Sequence, residues 1–122
     1  MTWLDLAREK YPGREVERGV PWMQRCMVDP DYLVLVGRNS AGVAKVYRRY
    51  NIDLRGRLEM LGARPQPGAS LEAFKMVQIM IDWARQKGAT GSFRLDADSG
   101  VDFVPFAKRL GGKHYTVNFY EI

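Results

Sequence analysis

The sequence predicts an α/β protein with a mixed sheet, an antiparallel meander followed by β-α-β-α-β, in a single domain over residues 1–122. Three observations predict it. The apolar runs at 32–36, 43–50 and 58–63 are separated by short turn-like stretches, Asn39-Ser40-Ala41-Gly42 and Asp53-Leu54-Arg55-Gly56. Connections that short join antiparallel neighbours. After 58–63 come a kinked loop (64–70), a long apolar helix (71–87) and a strand (92–96); strand–helix–strand is a parallel crossover unit. Finally, 122 residues with 46% hydrophobic and 27% charged content supply one core and no more.

The N-terminal elements are short. Residues 2–11 read as a helix, with Thr2 and Asp5 as a capping pair and Trp3, Leu4, Ala7 and Tyr11 as its apolar face. Pro12-Gly13 ends it. Pro21, at a first helical position, opens a second helix over 21–27, anchored by Trp22, Met23, Cys26 and Met27. The continuous apolar run 32–36 reads as a strand buried on both faces.

The long helix has the clearest signals. Ser70 is its expected N-cap, Glu72 lies in the first turn, Arg85 and Lys87 in the last, and Gly88 stops it. Leu71, Phe74, Val77, Ile81 and Ala84 form one apolar face, and Met76, Ile79, Met80 and Trp83 a second. Only Glu72, Lys75, Gln78, Asp82 and Gln86 are left for water, so the helix is expected to be largely buried. Met76, Met80 and Trp83 read either as core or as a partner surface. A helix starting after such a loop presents unpaired N–H groups and a positive dipole end, which bind anions such as phosphate.

Beyond strand 92–96, the loop 96–100 is polar, and a helix begins near Val101 or Asp102 with Pro105 in its first turn. The tail 114–122 alternates, with Tyr115, Val117 and Phe119 on one face, and reads as a last strand.

Composition narrows the function classes. No uncharged apolar run of about 18 residues exists, so no membrane helix is expected. The N-terminus lacks the layout of a signal peptide. With one cysteine (Cys26) and one histidine (His114), neither an intrachain disulfide nor a structural zinc site is expected. A cytoplasmic protein follows. The net charge of +5 favours acidic partners, while the lack of a nucleic-acid motif makes nucleic acid an unlikely one.

The element order resembles the GCN5-related N-acetyltransferase (GNAT) family over roughly residues 20–122. Ala63-Arg64-Pro65 looks like the V-x-P that ends that family's fourth strand. Pro67-Gly68-Ala69-Ser70 stands where its pyrophosphate loop belongs, and Phe106-Ala107-Lys108-Arg109-Leu110-Gly111 looks like its L-Y-E-K-L-G. The resemblance implies a truncated acyl-CoA N-acyltransferase fold with a V-shaped gap after Ala63. It implies acetyl-CoA as cofactor, an amine of a small molecule or protein as acceptor, and Leu61, Gly62, Ala63, Arg64, Gly68, Ala69, Ser70 and Leu71 as the cofactor-binding residues. Pro65 takes the place of the motif's Gln or Arg, and Ala107 that of a frequent tyrosine acid. The expected function is therefore acetyl transfer, or a degenerate relative with weak or no activity. The alternative is a non-catalytic binding or structural protein of this fold, in a bacteriophage and virion-associated. A homo-oligomer is left open.

Acyl transfer to an amine needs a base, a donor to the thioester oxygen and an acid for the leaving thiolate. The resemblance puts the oxygen donor on the backbone of Met60, Leu61 or Gly62. Glu59 is the candidate base, or simply a solvent-facing strand carboxylate. Tyr115 is the candidate acid, with Tyr120 as its substitute, and His114 reads as a surface residue. Asp96 and Asp98 read as amine ligands or helix caps. Arg48, Arg49, Arg55, Arg57 and Arg64 read as phosphate ligands or as surface charge.

Overall fold

An antiparallel meander carries the packing: β1 (Tyr32–Val36), β2 (Ser40–Arg49) and β3 (Asp53–Ala63) lie side by side in that order. Helices α1 (Trp3–Lys10) and α2 (Glu15–Val28) precede it, and α3 (Ala69–Gln86) and α4 (Val104–Arg109) follow. This computed structural model describes residues 3–10, 13, 15–95, 104–113 and 120–122. Of the expected last strand 114–122, residues 114–119, with His114 and Tyr115, lie outside the described residues, as do Asp96, Asp98 and the start of the last helix, while 120–122 are not in a strand. No described helix is long and apolar enough to cross a membrane.

Side chains alternate across the pleat, so each strand feeds two cores. On one face Ala44, Leu58 and Leu61 pack with Ala73, Val77 and Met80 of α3. On the other, Val43 packs with Met23 and Cys26 of α2, flanked by Trp22, Tyr32, Val34 and Met60. The alternation breaks once: Val43 pairs with Met60 but Ala44 with Leu58, so Glu59 is an extra residue in a β-bulge.

The parallel neighbour is present. Arg57 and Arg94 form a parallel bridge, Leu58 N–H donates to Arg94 O at 2.9 Å, and Arg94 N–H to Gly56 O at 3.2 Å. Within the described residues the expected 92–96 strand is reduced to this bridge, and the region facing the expected gap falls beyond residue 95.

Both expected turns are misplaced. Residues 40–42 belong to β2, and 53–56 to β3. A Cβ on Gly42 would come within 2.7 Å of Met80 Cε, and one on Gly56 within 2.8 Å of Ala84 Cβ and 2.9 Å of Phe93. These glycines permit close packing under α3; they are not turn residues. The real second turn is Tyr50-Asn51, with φ of 52° and 59° and Ile52 N–H donating to Arg49 O at 2.9 Å. Positive φ at both central positions makes it a type I′ hairpin turn.

Helix α2 starts at Glu15 and carries Pro21 inside it, not at its first position. An interior proline removes one helical hydrogen bond. The helix continues through it because Val16, Met23 and Cys26, spaced on one helical face, are all buried. Strand β1 is not buried on both faces: Tyr32 to Leu35 are half-buried and Val36 is exposed. Helix α3 begins two residues earlier than expected, at Ala69, with Gly68 and not Ser70 at the N-cap. Met76 and Met80 are core, whereas Leu71 and Ile79 of the expected apolar faces are about half exposed at 48% and 52%.

Candidate functional site

The loop 64–68 delivers β3 into α3. Gly68 takes φ 83°, a left-handed conformation with nothing within 4 Å of where a Cβ would stand. No side chain caps the helix. Ala69 N–H is already committed to Gln66 O at 3.1 Å, which removes it from the expected anion-binding set. Glu72 N–H closes the first helical bond to Gly68 O at 3.0 Å. Among the described residues, the amides of Gly68, Ser70 and Leu71 have no backbone acceptor, and all three residues are exposed. The mouth of α3 therefore keeps the N–H donors and positive dipole end that suit a phosphate.

Glu72, expected to face water, turns back onto the β1–β2 hairpin. Its Oε1 accepts from Asn39 N–H at 2.9 Å and from the Ser40 hydroxyl at 2.5 Å. Ser40 is fully buried, with Met76 Sδ 3.5 Å from its hydroxyl. Gly37 gives this carboxylate its room, since a Cβ there would collide with it. Arg64 N–H donates to Asn39 O at 2.8 Å, so the same hairpin also holds the start of the loop. The Ser40 hydroxyl hold the Glu72 carboxyl below its ordinary range, with the backbone amides of 38–40 adding to it against the opposing effect of burial.

Arg64 reaches away from the mouth of α3. Its guanidinium donates from Nε to both oxygens of Glu9, at 3.0 and 2.8 Å, and from a terminal nitrogen at 2.5 Å. That fork pins α1 to the loop, and it pushes the Glu9 carboxyl below its ordinary range. As a cofactor ligand Arg64 would first have to leave Glu9.

Glu59 sits in the bulge on the α2 face of the sheet. Its Oε1 accepts from Arg57 Nε at 2.5 Å and lies 3.7 Å from Lys45 Nζ. The side chain is only 17% exposed, so it is not a freely solvated strand carboxylate. Lys45 and Arg57 are directly opposite across the two strands. Cys26 is buried behind this group. Burial pushes its thiol up, and the charges of Glu59 and Asp29 add to that.

Leu61 is buried and its side chain belongs to the α3 core, Gly62 is half-buried, and Ala63 is exposed at the strand end. Because Arg64 N–H points to β2, alternation turns the amides of Ala63 and Leu61 to the opposite edge, the edge on which Leu58 meets Arg94. Of the expected oxygen donors, Leu61 keeps its amide on that edge, while Met60 and Gly62 are turned to β2; Ala63, which was not among them, joins Leu61 there. Ala107 is half-buried in α4, and its carbonyl accepts from Gly112 N–H at 2.7 Å. Arg48 and Arg49 are exposed near the second turn and do not join Arg64. Tyr120 is 83% exposed. Sequence reasoning missed Glu72, Ser40, Glu9 and Lys45. The available signal was Glu72 itself, a carboxylate on an otherwise apolar first turn.

No protein-family model matches the chain. No curated protein is significantly similar to it in sequence. Solved structures do match. An aminoglycoside 6′-N-acetyltransferase from Acinetobacter haemolyticus superposes with a TM-score of 0.75 at 19% identity, covering 98% of this chain and 89% of its own. The glucosamine-6-phosphate N-acetyltransferase of Arabidopsis thaliana gives 0.74 at 11% identity, over 98% and 88%. An acetyltransferase of Trypanosoma brucei gives 0.66 at 15%, over 98% and 89%. With its meander, its helix entered through a left-handed glycine after the third strand and its parallel neighbour on that strand's far edge, the chain superposes on these acetyltransferases over nearly its whole length and has the fold of the GCN5-related N-acetyltransferases.

Proposed function

We propose that this protein is an acetyl-CoA-dependent N-acetyltransferase acting on an amine. The observation that carries the reading is the mouth of α3, where Gly68 at φ 83° leaves the amides of Gly68, Ser70 and Leu71 for an anion in a chain of acetyltransferase fold. The residues fit the group: those amides and the dipole suit its pyrophosphate, and the Leu61 and Ala63 amides face the edge where a thioester oxygen would need donors. When bound, acetyl-CoA supplies an acetyl group activated as a thioester. The chain's part would be to keep the acceptor amine unprotonated, with Glu59 taking its proton directly or through water, so that the nitrogen could accept the acetyl group as the thioester C–S bond broke. The Leu61 and Ala63 amides would donate to a carbonyl oxygen held at that edge. Tyr115 is the group proposed to return a proton to the thiolate; Ala107 cannot. Loss of one acid–base group costs about 10²–10⁴-fold, so a slow enzyme is expected.

Titration calorimetry with acetyl-CoA tests the binding step. Heat of binding that disappears in Gly68→Val supports the reading, since valine is strained at that φ. Absence of heat at millimolar ligand refutes it. A second reading, a non-catalytic binding protein of this fold, is favoured by the engagement of Arg64 with Glu9. It predicts that neither acetyl-CoA binding nor thiol release is found, while a partner is bound without cofactor.

A further inference from the structure

We infer that two copies of this chain pair along the free edge of β1, antiparallel and centred on Val34, so that their sheets join across a two-fold axis. β1 is the outer strand of the meander, with β2 on one side of it and no strand on the other among the described residues. Two bonds fix which way its backbone points. Gly37 N–H donates to Ser40 O at 2.7 Å and Val46 N–H to Asp31 O at 2.9 Å, both in register with the β1–β2 ladder. Alternation then turns the backbone groups of Leu33 and Leu35 to β2, and those of Tyr32, Val34 and Val36 to the outer edge. Tyr32 N–H is taken by Asp29 O at 3.1 Å. The N–H and C=O groups of Val34 and Val36, and the C=O of Tyr32, have no partner among the described residues.

Residues 32–36 carry no charge and no proline, and the ladder to β2 has no bulge. Sheets protect an edge with such features or occupy it with another strand. The free groups here are self-complementary, as a two-fold interface requires. With Val34 opposite the second copy's Val34, each N–H donates to the other's carbonyl. Each Val36 N–H then meets the second copy's Tyr32 carbonyl, and only the outermost bonds, from Tyr32 N–H, are forgone. Charge selects the direction. Asp29 and Asp31 stand at one end of β1 and Arg38 at the other, with Asp31 and Arg38 exposed. The antiparallel pair sets Arg38 across from the second copy's Asp29-Pro30-Asp31, whereas a parallel pair would set like on like. The other charged groups near these ends are already held, Lys45 by Glu59 and Glu72 by Ser40 and the Asn39 amide. Both α2 helices then stand on the same side of the joined sheet, the side of Val36, which is 43% exposed. A pair of five-residue strands is a small interface, so the association is weak and reversible.

Sedimentation of the full-length chain from micromolar to millimolar concentration reads the association, and amide hydrogen exchange reads the register. The mass should rise from 14.0 kDa toward twice that value. Over the same range the Val34 and Val36 amides should gain about tenfold or more in protection, while Leu33 and Leu35, already bonded to β2, change little. Val34→Pro removes the central donor at a place where an edge strand tolerates proline, and should weaken association by about tenfold or more. Arg38→Glu should also weaken it, and Arg38→Glu combined with Asp31→Arg should restore it. The exchange measurement needs no variant, so misfolding of Val34→Pro leaves the inference open to refutation. A monomer at every concentration overturns it. So does a dimer in which Val34 and Val36 stay unprotected, or one that Val34→Pro or Arg38→Glu leaves unchanged.

Discussion

Replacing Glu72 by glutamine keeps the shape of the clamp between α3 and the β1–β2 hairpin and removes only its charge. The carboxylate accepts from Asn39 N–H and the Ser40 hydroxyl. Hydrogen bonds to a charged group contribute about 1.5–3 kcal/mol and neutral ones about 0.5–1.5 kcal/mol, so two weakened bonds lose about 2 kcal/mol. Glu72 remains partly exposed, and solvent screening lowers the expected loss to about 1–2 kcal/mol. Equilibrium urea unfolding reads this directly. With a slope of about 1–3 kcal/mol per molar, the midpoint should fall by about 0.5–1 M at neutral pH. The pH dependence has a definite sign. The folded-state carboxyl titrates below its ordinary value of 4.5, so its contribution is complete above that value and is lost as pH falls through the lower, folded-state value. The gap between wild type and Glu72→Gln should therefore close in acid. Glu72→Ala should cost more, about 2–4 kcal/mol, because it strands a buried hydroxyl and an amide. Wild-type midpoints for Glu72→Gln at neutral pH, with an unchanged acid profile, would refute the reasoning.

Gly56→Ala should destabilise by about 1–3 kcal/mol through overpacking against Ala84 and Phe93, read by thermal or urea unfolding. Cys26 is 2% exposed and its thiol is pushed up, so a thiol reagent should label it only as the protein unfolds; labelling at the rate of a free peptide cysteine would contradict the packing of α2. Glu59→Gln should slow thiol release by about 10²-fold or more if Glu59 takes the amine proton, and an unchanged rate would transfer that role elsewhere.

The order of the elements was legible because period and length survive without tertiary information. The alternation of 43–50, the wide apolar arc of 71–86 and the short links between the first strands could form little else, and the mouth of α3 was placed to within two residues, at Leu71 after Ser70 where the helix begins at Ala69 after Gly68. The turns were not legible, because glycine has two meanings. At Gly68 it supplies a positive φ, which is local. At Gly42 and Gly56 it makes room for Met80, Ala84 and Phe93, residues distant in sequence. Pro21 was misplaced for a related reason: the burial of Val16, Met23 and Cys26 decides where α2 begins, and burial belongs to the whole fold. Charge behaved likewise. Arg64, Glu59 and Glu72 were visible as charged residues, but their partners lie elsewhere in the chain: Glu9, Lys45, Asn39 and Ser40 meet them only when the sheet has closed. Local conformational preference is written residue by residue, so the sequence by itself determined the elements and their order. Electrostatic and packing partners are set by distances that exist only in the folded chain, and the tertiary structure decided which carboxylate clamps the helix mouth and which cations surround the candidate base.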